Sequence, residues 1–241
     1  MARFSGIVSD IDGTLTHDDR RLSAEALQSA HMLSGRIPVV LASGNTLCFT
    51  RAVSKMLGTR SPLIAENGGL ILPFYDSDPI LIEPCRDELN AALNVLSKHF
   101  DLTVFDSRDR ITDISFAKTV DKEEILPYLS DFPNIYFVDA EFAYHLTDKN
   151  ICKSDGLIRT AKLMGMDAKD FVAVGDSNND IDLFQAAGFS FAVANATPEV
   201  KKEADYVLTK KFGAGFAEAV DYLIQNDLIE LEDNRRDFYV F

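Results

Sequence analysis

The chain opens with a short apolar run, Phe4 to Ser9, that stops at Asp10-Ile11-Asp12-Gly13-Thr14-Leu15. So few apolar residues ended by a glycine turn read as a buried strand, and an aspartate at its end presents a carboxylate at the open edge of a sheet. Loops at strand ends are where reactive side chains gather. If the chain stayed extended, Asp10 and Asp12 would share a face and repel, unless a cation or a shared proton lay between them or the turn re-aimed one. A divalent metal answers this most simply. The same residue types also build an ordinary strand-to-turn junction, so the motif is weighed against the rest of the chain.

Two further runs repeat the pattern. Val172-Ala173-Val174 ends in Gly175-Asp176-Ser177-Asn178-Asn179-Asp180, and Pro38-Val39-Val40-Leu41-Ala42 ends in Ser43-Gly44-Asn45. The first supplies a second oxygen-rich site, and Asp10 with Asp176 would suit a hard divalent ion such as magnesium. Asp180 is expected to open the next helix, the alternative being a polar loop with an N-cap. At Ser43 and Gly44, backbone N–H groups, the following helix end and the hydroxyl would all favour a phosphate, the alternative being a Ser cap. Lys153 stands just ahead of a helix patterned by Leu157, Ile158, Ala161 and Leu163. Taken alone it reads as a solvated surface charge.

Strand and helix patterns alternate through about residue 65, including a helix from Ser23 to Ser34 capped by Ser23. They resume from Phe171 to Gly175, with a helix from Asp180, a strand from Phe189 to Ala194 and a helix near Ala214 to Ile224. This alternation predicts an α/β fold with a doubly wound, Rossmann-like parallel sheet. Between the halves the pattern changes to a helix (Asp87 to His99), two strands (Leu102 to Phe105 and Thr112 to Phe116), a helix and two more strands. The expected division is a core of residues 1–83 and 152–241 with an inserted α+β cap domain of residues 84–151. Within it, Asp121-Lys122-Glu123-Glu124 reads as a helix start of the capping-box type. Ile135 to Val138 and Phe142 to Leu146 read as a hairpin across Asp139-Ala140-Glu141, with its aromatics forming the cap's own core. His145 is expected as a packed or surface residue, the alternative being contact with substrate. Arg108 and Arg110 read as a solvated strand face, the alternative being a clamp on a substrate carboxylate.

The formal charge of -14 argues against nucleic acid and anionic membrane as partners, since both need basic patches. A phosphate substrate would then need its sign reversed locally by metal and Lys153. The apolar runs are too short for a membrane span and no leader pattern is visible, so a cytoplasmic protein is expected. Cys48, Cys85 and Cys152 lack metal-type spacing and cannot all pair, which suits a reducing compartment. Cys152 is expected to be buried rather than reactive. The tail from Asp227 to Phe241 could add a strand, cover an apolar patch or support self-association, a homodimer included.

In their order and separations, Asp10-Ile11-Asp12-Gly13-Thr14-Leu15, Ser43, Lys153 and Gly175-Asp176-Ser177-Asn178-Asn179-Asp180 resemble the four motifs of the haloacid dehalogenase superfamily of phosphatases. Glu66-Asn67-Gly68-Gly69 resembles a turn of the subgroup whose cap follows the third strand. Ser43-Gly44-Asn45 and the compact length look most like the archaeal-type phosphoglycolate phosphatases. The resemblance implies Asp10 as a nucleophile that becomes an aspartyl-phosphate, and Asp12 as general acid and then base. It implies Mg2+ held by Asp10, Asp176 and Asp180 with the Asp12 backbone carbonyl. Ser43, Gly44 and Lys153 would hold the phosphate, with Asn179 as an orienting amide. The implied partner is a small phosphorylated metabolite, with 2-phosphoglycolate first. Sugar-phosphate and pyridoxal-phosphate phosphatases and phosphomutases share the motifs, and a binding protein without turnover would share the fold.

Overall fold

The computed structural model describes residues 4–140 and 142–231. Along the chain its elements begin with β1 (Gly6–Ser9), α1 (Ala24–Leu33), β2 (Val39–Ala42), α2 (Leu47–Leu57), β3 (Leu63–Ala65), β4 (Leu70–Leu72) and β5 (Ile80–Leu81). There follow α3 (Arg86–His99), β6 (Val104–Phe105), β7 (Ile114–Ala117), α4 (Lys122–Ile125), β8 (Ile135–Asp139) and β9 (Ala143–Asp148). The described part closes with α5 (Lys153–Leu163), β10 (Phe171–Gly175), α6 (Ile181–Ala186), β11 (Phe189–Ala192), α7 (Pro198–Glu203), β12 (Tyr206–Val207) and α8 (Phe212–Gln225).

The larger sheet has eight strands in the order β12-β11-β10-β1-β2-β3-β4-β5. From β12 to β3 every pair is parallel, whereas β4 and β5 are added antiparallel at the edge. The central strands are apolar on both faces, as a sheet covered by helices on both sides requires. On one face Ile7, Val39, Leu41, Val172 and Val174 pack with Leu33 of α1 and Phe216 and Leu223 of α8. On the other, Val8, Val40, Ala42, Phe171 and Ala173 pack with Leu157 and Ala161 of α5 and Leu183 of α6. The strand order reverses between β1 and β10, and the crevice beyond the carboxyl ends of strands at such a point is where ligands bind in α/β sheets.

The inserted cap is a four-stranded antiparallel sheet, β6-β7-β9-β8. Its period-2 pattern sends Ile114 and Phe116 of β7 and Tyr144 and Leu146 of β9 into a core with Leu89, Ala92 and Leu96 of α3. The alternate residues, Ser115 and His145, sit opposite each other in register on the other face. That face is turned toward the core sheet's carboxyl edge. Glu66 fixes the cap there, its carboxylate accepting from the Ile111 N–H at 3.0 Å, the Thr112 N–H at 2.6 Å and the Thr112 hydroxyl at 2.7 Å.

Several local expectations change. Ser23 caps α1 as anticipated, accepting from the Ala26 N–H. The helix after β10 runs Ile181–Ala186 with Asp180 at its N-cap as anticipated, but the Asp180 side chain does not cap it: Asn178–Asp180 forms a short 3-10 turn capped by Ser177, and the Asp180 carboxylate folds back onto the Ser177 N–H. Asp121 does precede α4, but its side chain makes no capping bond. The helix is only four residues long and runs straight into a 3-10 turn containing Pro127. On α5, Leu157 and Ala161 are buried while Ile158 and Leu163 are half exposed, so the apolar stripe is narrower than its spacing suggests. Leu228 and Ile229 join the core, with Phe4 donating to the Leu228 carbonyl and bridging to Ile229. The start of the tail is therefore structural; residues 232–241, and Glu141 of the cap hairpin, lie outside the described residues. Among the described residues no helix is long and apolar enough to cross a membrane.

Candidate active site

Parallel pairing aligns the ends of β1, β10 and β2, so the turns that stop them converge. Asp10 leaves β1, Asp176 leaves β10 and Ser43 leaves β2. Lys153, the first residue of α5, inserts between the first two turns and is 1% exposed. Its Nζ donates to Asp10 Oδ1 at 2.6 Å and to Asp180 Oδ1 at 2.7 Å. The lysine is thus a buried tie, contrary to the surface reading of the residue alone. Asp180 in turn accepts from the Asp176 N–H at 3.0 Å. It can fold back this far because Gly175 lacks a side chain, as a Cβ there would lie 2.6 Å from the Asp180 carboxyl carbon. Thr14 Oγ1 donates to Asp176 Oδ1 at 3.2 Å.

Buried Asp10, Asp176 and Asp180 bring one carboxylate oxygen each within 4.8 Å of one another. The Asp12 side chain is not in that group, because the turn with Gly13 at φ 78° carries it away from the extended path. It is held instead by Asn45, whose Nδ2 donates to Asp12 Oδ2. Burial pushes the Asp10 carboxyl well above the usual range, against the pull of Lys153 and with a further push from Asp180 and Asp12. Burial raises Asp12 too, opposed by Arg20, Asn45 and Lys153. For Lys153, burial would lower the ammonium, but the attraction of Asp10 and Asp180 outweighs it and holds the charge. Several buried acids around one lysine are short of positive charge, and their hard oxygen donors match what a divalent cation such as magnesium takes.

Ser43 accepts from the Asn45 N–H at 3.0 Å, which leaves its own hydroxyl hydrogen to give. Gly44 stands beside Asn67, where an added Cβ would meet the amide at 3.1 Å. Asn179 binds neither a carboxylate nor the lysine. Its Oδ1 accepts from the Ser177 hydroxyl at 3.0 Å and its Nδ2 donates to Asn67 Oδ1 at 3.0 Å. Asn67, read from sequence only as part of a turn, is thereby brought into the site at φ 55°, with its buried Nδ2 lacking a partner. The left-handed backbone that Asn tolerates was the available signal.

Across the cavity, Asp10 and Asp12 face Arg110, Ser115 and His145 of the cap, around a volume of about 180 Å³. Arg110 is 6% exposed and His145 4%, which corrects the solvated-face reading for Arg110; Arg108 is exposed as expected. Asp113 joins the two cap side chains, accepting from Arg110 Nη1 at 2.7 Å and lying 2.7 Å from His145 Nδ1. Sequence spacing missed Asp113. Arg20 covers the Phe142 ring at 4.7 Å, linking a core loop to the cap hairpin at the cavity mouth. Cys152 lies half-buried, its thiol pushed up by burial.

The sequence model of the haloacid dehalogenase-like hydrolase family matches residues 7–124 and 108–220. A phosphoglycolate phosphatase of Methanosarcina acetivorans is 40% identical over 94% of this chain and 100% of its own length. One of Methanosarcina mazei is 42% identical over the same shares. Among solved structures, Thermoplasma acidophilum 0175 superposes with a TM-score of 0.82 at 24% identity, covering 93% of this chain and 99% of that one. A haloacid dehalogenase-like hydrolase from Bacteroides thetaiotaomicron gives 0.76 at 21% identity, over 92% and 100%.

Proposed function

Because the chain belongs to the haloacid dehalogenase-like hydrolases, we propose that it hydrolyses a small phosphomonoester, 2-phosphoglycolate first, through an aspartyl-phosphate at Asp10. The observation that supports this reading is the juxtaposition of Asp10 and Asp12 on one wall of the cavity beneath the cap, with Lys153 and the acid cluster behind. In the first step an Asp10 oxygen bonds to phosphorus, the ester P–O bond breaks, and Asp12 gives its proton to the leaving oxygen. In the second, water attacks phosphorus, Asp12 takes the water's proton, and the Asp10–phosphorus bond breaks to restore the carboxylate. The raised Asp12 suits a group that must hold a proton before the first step.

Lys153 keeps Asp10 oriented and, with Ser43 and the turn at Gly44, receives the phosphoryl oxygens. Asn179 acts one step back, holding Asn67 beside Gly44. Asp10, Asp176 and Asp180, with the Asp12 carbonyl, would hold Mg2+, which when bound offsets the crowded acids and stabilises charge developing on the phosphoryl group. Residues 84–151 form the lid that excludes bulk water from residues 1–83 and 152–241, and the reaction runs in the cytoplasm.

The test is phosphate release from 2-phosphoglycolate, hexose phosphates and pyridoxal phosphate, with magnesium or EDTA, for wild type and Asp10→Asn. Turnover of 2-phosphoglycolate that needs both magnesium and Asp10 is the expected result. A different leading ester would displace the substrate, and no turnover at all would favour a binding protein.

A further inference from the structure

The cap wall of the cavity holds two buried polar atoms with no hydrogen-bond partner, Arg110 Nε and Ser115 Oγ. Buried polar atoms in native proteins are nearly always satisfied, so two orphans on one wall of one cavity point to a bound group. Both are donors, and Arg110 is a fixed cation. His145, the register partner of Ser115, stands beside them, and its Nδ1 lies 2.7 Å from an Asp113 oxygen, holding in place the carboxylate that pairs with Arg110. Among the described residues Asp113 is the cap carboxylate that touches Arg110 and His145, and it is spent on them. Burial would raise Asp113, but His145 and Arg110 prevail and hold it below the usual range. Asp106 and Arg20 also border the cavity, both from exposed positions.

We propose that Arg110 and Ser115, positioned through Asp113 and His145, form a receptor for a carboxylate on the substrate's end remote from phosphorus. The proposal rests on the phosphatase reading and adds the residues that select the substrate. Arg110 Nη1 also donates to the Gly44 carbonyl at 2.9 Å, so the receptor stands beside the turn assigned to the phosphate. Carboxylate and phosphate must therefore be separated by a short spacer. A planar guanidinium matches a carboxylate and does not match a methyl or hydroxymethyl end. Short phosphorylated hydroxy acids fit this chemistry, while neutral esters leave the buried donors unpaired.

The test compares kcat/KM for 2-phosphoglycolate and for ethyl phosphate, which replaces the carboxylate by a methyl group. Wild type, Arg110→Met, His145→Gln and Ser115→Ala are assayed with magnesium. Wild type is expected to prefer the acid strongly, and Arg110→Met to lower that preference about ten- to a hundredfold, through KM more than kcat. His145→Gln and Ser115→Ala should lower it by smaller factors and remain informative if Arg110→Met does not fold. Loss of both activities in parallel, with the preference intact in all three variants, would make these residues structural and overturn the receptor. A wild type that treats the two esters alike overturns it while leaving the phosphatase reading in place, and a wild type that hydrolyses neither overturns both.

Discussion

Asp113 touches no reacting group in this scheme, yet it sets the position of two that face the cavity. Its side chain is fully buried between Arg110 and His145, so those contacts are shielded from solvent. Because its folded-state value lies below the usual 3.8, the stability it contributes is complete above about pH 3.8 and is lost as pH falls through the lower folded value. Asp113→Asn leaves Arg110 buried without its counter-charge, and removing one partner of a buried pair costs about 3–5 kcal/mol. Urea unfolding at pH 7 should show that loss, and the gap to wild type should narrow in acid. A gap constant across pH would mean that the carboxylate's charge contributes nothing. Lys153 makes the complementary point: in sequence it is one lysine among many, and in the fold it is a buried cation bridging two acids.

At the level of elements, the site is built from strand ends and the turns that stop them, and glycine sets how closely those turns approach. Gly68 has φ 105°, and a Cβ there would lie 2.2 Å from the Cys152 carbonyl, just before α5 begins. Gly68→Ala therefore combines backbone strain with a clash against backbone, which together cost roughly 2–5 kcal/mol. The same clash displaces the start of α5 and with it Lys153, so kcat should fall along with the urea midpoint. Loss of stability with kcat intact would mean that Lys153 is held independently of this turn. The cap's strands follow the same logic, since alternation along β7 and β9 puts apolar residues on α3 and polar ones over the cavity.

For the whole molecule, electrostatics links folding to the metal the site would take. Acid crowding at Asp10, Asp176 and Asp180 burdens the folded state, and a ligand that binds only the folded chain stabilises it, by about 2.7 kcal/mol at a hundred times Kd. For a chain of this size that is roughly 5–10 °C in Tm. Magnesium should raise the melting temperature by that order, EDTA should reverse it, and Asp176→Asn should weaken the response. An equal shift in Asp176→Asn would place the cation elsewhere among the many acids of a chain with net charge -14.

The parallel core, the inserted cap and the strand ends bearing Asp10, Ser43 and Asp176 were legible in the linear chain, because hydrophobic period and turn residues are local signals. Even there the legibility had limits. Asp180 opens its helix as the pattern suggests, but an acid before an apolar run does not reveal that its carboxylate will fold back over Gly175. Arg110 looked like a solvated strand face and His145 like a packed or surface residue, while Asp113 gave no signal; Arg110 and Asp113 lie in the loop before β7, and which surface this face of the cap meets was invisible. Only the docking of the cap on Glu66 turned the face inward, stripped water from Arg110 and set it against Asp10 and Asp12. The sequence by itself determined which residues end each strand and which side chains share a face, through interactions a few residues long. Tertiary structure decided which of them are buried together, because desolvation and charge pairing depend on contacts that chain separation does not encode.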